Sequence, residues 1–132
     1  MNRTIQIVTA IAVGVIEFFF GEIDRLLYAL LAMIIIDYAT GVIAAIVEKR
    51  LSSAIGFKGI AKKICILLIV ATGHIIGCCV LGKGETCRDM IVGFFIMNEG
   101  ISVLENGIKI GLPVPQKFKE MLEQVKNKAE GE

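Results

Sequence analysis

Three residues that can carry a charge lie near the middle of long apolar runs in this sequence. They are Asp37, His74 and Glu99. A charged side chain at the centre of a membrane helix costs roughly 2.5–3.5 kcal/mol, so it needs a partner, water or protonation. We expect the three residues to lie at one shared depth in a bilayer. The pattern therefore predicts a polar site inside a membrane.

Four apolar stretches could carry these residues across a bilayer. A spanning helix needs about 20 residues, with a lower limit near 17. The first stretch, residues 5–20, reaches that length only with its neighbours, so a spanning helix, an in-plane helix and a signal-like helix all stay open for it. The others are residues 26–47, 64–81 and 90–111. Hydrophobic residues form 55% of the chain, and a soluble domain does not place them in such long runs.

The last stretch is followed by a different kind of sequence. Pro113 and Pro115 stop the helix, because proline lacks an amide donor and constrains the preceding residue. Beyond them, apolar residues recur at helical spacing between lysines and glutamates, which is typical of a surface helix. The prediction is an all-α integral membrane protein with four transmembrane helices and a short C-terminal amphipathic helix. Residues 1–112 form the membrane domain and residues 113–132 a charged cytoplasmic tail.

Lysine and arginine placement predicts the orientation. One side of the four-span topology holds ten of these residues. The other side holds three, which are Arg25 in the turn after the first stretch and Lys83 and Arg88 in the predicted outer loop of residues 82–89; Lys109 lies inside the fourth stretch and is not counted. Because cytoplasmic loops carry the excess, both termini are predicted in the cytoplasm. The cytoplasmic basic loop between the second and third stretches contains Lys49, Arg50, Lys58, Lys62 and Lys63.

Polar and small residues recur on single faces of these helices. The candidate polar residues, for a pore or for packing, are Glu17, Asp37, Thr40, Gly41, His74, Asn98, Glu99, Ser102, Glu105 and Asn106. The candidate close-packing glycines are Gly73, Gly77, Gly93, Gly100 and Gly107. Glu105 could pair with Lys109 one turn later. Each of these faces could instead be a packing surface inside one monomer. In that case Asp37 would be a buried carboxylate that is hydrogen-bonded by Thr40 or by a neighbouring helix, and His74 would be a hydrogen-bonded core residue.

Other kinds of chemistry find little support. The four cysteines, Cys65, Cys78, Cys79 and Cys87, have no CxxC spacing and accompany no histidine cluster, so no metal site is expected. The sequence has no glycine-rich phosphate loop and no nucleophile elbow, so we expect neither an enzyme nor a cofactor. A net charge of +1, segregated by loop, gives no indication of a nucleic-acid partner.

Several short motifs together resemble a known family. They are Asp37-Tyr38-Ala39-Thr40-Gly41, residues 52–59 with Lys62-Lys63, residues 98–106, and Gly111-Leu112-Pro113. Their order and spacing are similar to those of the toxin-secretion and phage-lysis holin family, over most of the chain from Asp37 to Pro113.

The resemblance implies a non-enzymatic protein of the bacterial cytoplasmic membrane. Such a protein would assemble with copies of itself among the lipids and open lesions that release an endolysin or a large toxin. The alternative is a small secondary transporter or ion channel that uses its intramembrane carboxylates, for which a few helices would also suffice. Saturable uptake would favour the transporter, and leakage of macromolecules would favour the holin.

Overall fold

The computed structural model describes residues 2–129 of the chain, and in that part it is helical with no β-strand. A π-helical turn, Ile76–Val80, continues the third helix. The helices are α1 (Arg3–Phe20), α2 (Arg25–Val47), α3 (Ser53–Ile75), α4 (Thr86–Ile110) and α5 (Gln116–Ala129). The all-α prediction is confirmed.

The sequence specifies the helix ends through local capping. Asn2, Asp24 and Ser52 each accept a backbone N–H of the first turn of α1, α2 and α3, which satisfies a donor that has no partner within the helix. Gly21 and Gly111 end α1 and α4 with φ of 75° and 102°. Because this region favours glycine, both helices stop where the sequence supplies one.

Within residues 2–129, four helices are long and apolar enough to cross a membrane. They are α1, α2, α4 and the continuous segment Ser53–Val80 formed by α3 and the π turn. Their number and composition agree with the prediction of four spans. The fourth helix begins at Thr86 and not near Met90, so the predicted outer loop is shorter than expected.

Helices α2 and α4 form the main packed pair and run in the same direction. Arg88 bonds to residues at the start of α2, whereas Asn106 bonds to Asp37 and Thr40 farther along it. α3 packs on α4 in the opposite direction, since Lys63 contacts Glu99 while residues near the end of α3 meet the start of α4. α1 packs on α3 and α5 on α4.

The hydrophobic core shared by α2, α3 and α4 is small. It consists of Leu27, Leu30, Ile34, Ile66, Val70 and Val92. Most large apolar side chains lie on the outside, and every described side chain of α1 before Phe20 is exposed. Apolar side chains on the outside suit contact with lipid. The helices also satisfy their own backbone hydrogen bonds, which lipid cannot do.

The predicted basic loop is largely helical. Since Ser52 caps α3, the loop after α2 ends there, and Lys58, Lys62 and Lys63 lie on α3. Only Lys49 and Arg50 of the five basic residues remain between the helices. The assignment of Lys58, Lys62 and Lys63 to a loop is therefore wrong, and it is Lys63 whose new position matters most.

Candidate functional site

A charged cluster lies where the middles of α2, α3 and α4 meet. The Lys63 ammonium group contacts the carboxylates of Asp37 and Glu99, and its Nζ lies 2.5 Å from Glu99 Oε2. The carboxylate side chains are 7% and 2% exposed, and the Lys63 side chain is 18% exposed. With all three groups ionised, the cluster carries a formal charge of −1. One ammonium group therefore holds two carboxylates inside apolar helices, where each alone would be costly.

Neutral polar side chains extend this cluster along α2 and α4. Asn106 Nδ2 donates to Asp37 Oδ1 at 3.1 Å and to Thr40 Oγ1 at 3.0 Å. Thr40 Oγ1 lies 3.0 Å from the Asp37 carbonyl oxygen of its own helix. Gly41 lies beside Asn106, whose amide nitrogen would be at an ordinary contact distance of 3.6 Å from a Cβ placed there. The Asp37 carboxylate is thus positioned from both neighbouring helices.

A cavity of about 690 Å³ connects this cluster to one end of the bundle. Its lining runs from Asp37, Lys63 and Glu99 to Arg50 and Leu51, at the loop between α2 and α3. Asn98, Ser102 and Asn106 line it too. Because polar groups surround the inner end, water entering from the loop end would find hydrogen-bonding partners there. The arrangement can hold water or a cation deep between apolar helices.

His74 lies far from this cluster. It is eleven residues beyond Lys63 on the same helical segment, or about 16 Å at 1.5 Å per residue. It contacts Glu85 at the opposite end of the bundle, with 2.8 Å between Nδ1 and Oε1. The prediction that Asp37, His74 and Glu99 share one depth is therefore wrong for His74.

Two other predicted polar residues stay outside the cluster. Glu17 is exposed on α1, which buries no side chain. Glu105 is exposed on α4, and no ion pair joins it to Lys109 within residues 2–129. Both side chains are exposed, and neither takes part in the packing of α4 on its neighbours.

The predicted close-packing glycines divide into two groups. A Cβ on Gly77 would lie 2.8 Å from the Gly84 carbonyl oxygen, and one on Gly73 would collide with the Ile91 side chain, so both permit close approach of α4 and its preceding loop. Gly107 packs beside Val114. In contrast, Gly93 faces open space and Gly100 has only the tip of Met33 at 3.9 Å. Within one chain, the packing prediction is wrong for Gly93.

The role of Lys63 is not evident from the sequence, because this residue directly follows Lys62 and stands just before an apolar run, so it resembles part of a loop. Lys63, Ile66 and Val70 recur at helical spacing, and the latter two are buried. If α3 is started at its Ser52 cap, that spacing places Lys63 on the packed face.

Sequence reasoning also missed Arg88, which it treats only as an outer-loop charge. Its side chain is 1% exposed. Nη1 donates to the carbonyl oxygens of Phe20 and Glu22 at 2.8 Å each, and Nη2 donates to Asp24 Oδ2 at 2.6 Å. Arg88 therefore ties the turn between α1 and α2 to the start of α4.

Asp24 contributes to this junction from outside the spanning helices. The Leu27 N–H that its carboxylate caps, together with the Arg88 guanidinium group, holds the pKa of Asp24 below its ordinary value. Asp24 therefore stays ionised and supports both the start of α2 and the position of Arg88.

The sequence is similar to one known family and to several bacterial proteins. The sequence profile of the bacteriophage holin family matches residues 14–127. An uncharacterized protein of Listeria innocua is 44% identical over 109 residues, which cover 83% of this chain and 77% of that protein. An uncharacterized protein of Clostridium perfringens is 42% identical over 109 residues, 83% of each chain. An uncharacterized protein of Halalkalibacterium halodurans is 35% identical over 130 residues, 96% of each chain. No solved structure matches the chain.

Proposed function

Because the chain belongs to the bacteriophage holin family, we propose that it opens the cytoplasmic membrane of a bacterium. In this proposal, copies of the chain accumulate among the lipids, assemble into homo-oligomers and form lesions that release an endolysin or a large toxin. The protein supplies passage and performs no reaction. Both termini and the loop between α2 and α3 face the cytoplasm.

The charged cluster of Asp37, Lys63 and Glu99 is the observation that carries this proposal. In one chain, the ammonium group partly neutralises two carboxylates that lipid would not tolerate alone. In a ring of chains around water, the same groups could be hydrated instead. Both arrangements keep the charges away from lipid, the first by ion pairing and the second by hydration. The cluster is therefore compatible with a closed monomer and with an open assembly.

The one-ended cavity supports the same step. It already brings the polar faces of α2, α3 and α4 within reach of the loop end. Widening it would separate Lys63 from its partners while water replaced the lost contacts. Because the closed state satisfies its ion pairs internally, opening requires enough neighbouring copies to stabilise the exposed faces, and it should depend steeply on concentration.

Helix α1 offers a surface for such neighbours. Its described side chains before Phe20 are exposed, and a Cβ added at Gly14 would meet no atom within 4 Å. Gln6, Gly14 and Glu17 lie on one face of α1 at helical spacing. Small residues let membrane helices approach closely, and polar side chains can hydrogen-bond across the interface. Polar side chains of a second copy could hydrogen-bond to the Glu17 carboxylate, whereas lipid tails could not.

A small transporter or ion channel is the second candidate. The cavity favours this candidate, because it reaches from one end of the bundle to a charged cluster near mid-membrane. A carrier exposes such a central site to one side of the membrane at a time. Such a protein would pass small solutes and would retain macromolecules. The two candidates therefore differ in the size of what crosses.

Co-expression in bacteria tests the proposal. The partner is a cell-wall hydrolase without a secretion signal, and the matched control is the same hydrolase with its catalytic residue replaced. With the active hydrolase, we expect homo-oligomers, loss of membrane potential and abrupt lysis. With the inactive hydrolase, the membrane should depolarise while the wall stays intact. Cells that remain polarised and intact when oligomers are readily detected would contradict the holin proposal.

A further inference from the structure

Three side chains that the charged cluster does not use meet at the opposite end of the bundle. His74 Nδ1 lies 2.8 Å from Glu85 Oε1, and Cys78 Sγ lies 3.3 Å from the same oxygen. Cys78 Sγ and His74 Nδ1 are 3.6 Å apart. An imidazole nitrogen, a thiol sulfur and a carboxylate oxygen thus converge from two helical segments on one small volume.

These separations are close to those of ligands around a tetrahedral zinc ion. With Zn–N and Zn–O distances of about 2.1 Å and a Zn–S distance of about 2.3 Å, neighbouring ligand atoms stand roughly 3.4–3.6 Å apart. The separation of 3.6 Å between Cys78 and His74 already lies in this range, and that of 3.3 Å between Cys78 and Glu85 lies just below it. On this geometry the contact between His74 and Glu85 would need to open by about 0.6 Å, and the contact between Cys78 and Glu85 by about 0.3 Å.

The backbone brings the three residues together by specific means. His74 and Cys78 are four residues apart, and the π turn Ile76–Val80 lies between the end of α3 and the next loop. π turns of this kind often occur at functional sites. Gly77 has no side chain to block the Gly84 carbonyl oxygen, so the loop before α4 can pack against α3. That approach places Glu85 opposite His74 and Cys78.

One carboxylate oxygen of Glu85 faces this site, and the other faces Arg88 of the helix that follows. Glu85 occupies the position before the first residue of α4, yet its side chain makes no capping hydrogen bond there. Its second oxygen, Oε2, lies 2.9 Å from Arg88 Nε. Ligating carboxylates commonly have a further polar partner, and Arg88 is in place to be one.

The local charge favours a cation. Arg88 is surrounded by the carboxylates of Asp24, Glu85 and Asp89. Three acidic groups therefore face one guanidinium group, and one of them, Glu85, also contacts His74 and Cys78. The nitrogen and sulfur donors select a transition metal over Mg²⁺ or Ca²⁺, which prefer oxygen ligands.

We propose that His74, Cys78 and Glu85 form a Zn²⁺ site that clamps the end of α3 to the start of α4. His74 supplies Nδ1, Glu85 supplies Oε1, and the Cys78 thiol releases its proton to solvent and binds as the thiolate. A water molecule completes the tetrahedron. The proposal goes beyond membrane opening and does not depend on it.

Metal binding by the purified full-length chain in detergent micelles tests this inference. After treatment with a chelator, the protein is titrated with Zn²⁺, and separately with Co²⁺ as a spectroscopic probe. We expect one Zn²⁺ per chain and a thiolate-to-cobalt charge-transfer band. Cys78→Ser and His74→Gln should each weaken Zn²⁺ binding at least tenfold, and Cys78→Ser should abolish the band.

Cys79→Ser is the matched control, because Cys79 is the exposed neighbour of Cys78. It should leave both the affinity and the band unchanged, and helix content measured by circular dichroism should be equal in all variants. Zn²⁺ binding that is absent, or that survives both Cys78→Ser and His74→Gln, would overturn the site. Equal loss in Cys79→Ser would overturn it as well. Because no readout involves lysis, failure here is distinct from failure of the holin proposal.

Discussion

Replacing Lys63 with methionine removes the ammonium group from between two buried carboxylates while keeping a long unbranched side chain. The group contacts Asp37 and lies 2.5 Å from Glu99 Oε2, and those two side chains are 7% and 2% exposed. Breaking a buried ion pair by removing one partner costs about 3–5 kcal/mol. That loss would shift the folding equilibrium roughly 100- to 4,000-fold.

Reversible unfolding in mixed detergent micelles, followed by circular dichroism, measures this effect. Lys62→Met is the matched control, because Lys62 is the exposed neighbour on the same helix. It should change the free energy of unfolding by no more than about 0.5 kcal/mol. Combining Lys63→Met with Asp37→Asn and Glu99→Gln should recover most of the loss, since no buried charge then lacks a partner. Equal stability of Lys63→Met and Lys62→Met would refute the assignment of Lys63 to the cluster.

Three further predictions concern packing, pH and topology. Gly77→Ala should lower the free energy of unfolding by about 1–3 kcal/mol, because the added methyl group would overpack against Gly84. Gly14→Ala is the control, since this position faces open space, and it should be neutral or slightly stabilising in the same unfolding assay. Because the pKa of Asp24 is lowered in the folded protein, its carboxylate contributes fully to the free energy of unfolding above its ordinary pKa, and this contribution is lost as the pH falls through the lower folded value. When unfolding is measured at decreasing pH, Asp24→Asn should therefore lose less stability below about pH 4 than the parent protein. In a cysteine-free background, an impermeant thiol reagent outside the cell should label a cysteine at Gly84 and not one at Ser53, and the reverse pattern would invert the orientation.

The sequence is sufficient to find Asp37 and Glu99, because an ionisable residue inside an apolar run is conspicuous. It is insufficient for Lys63, whose role depends on where α3 begins. Starting the helix at the apolar run leaves Lys63 in a loop, whereas the Ser52 cap starts it eleven residues earlier. Hydropathy marks the lipid-facing part of a helix and does not mark the helix itself.

The same boundary error misplaces His74. Measured within the apolar run alone, it is central. Measured along the full segment Ser53–Val80, it lies near one end. Its contacts with Cys78 and Glu85 then depend on the π turn and on the loop before α4, neither of which leaves a periodic signal in the sequence.

Release of solutes of different sizes from lipid vesicles tests the central claim most directly. Vesicles that contain the purified protein would be loaded with a small dye and with a fluorescent protein of the size of a cell-wall hydrolase. Above a threshold ratio of protein to lipid, we expect both to escape, with a steep dependence on that ratio. Escape of the dye alone, or saturable movement of one small solute while the fluorescent protein is retained, would contradict the account.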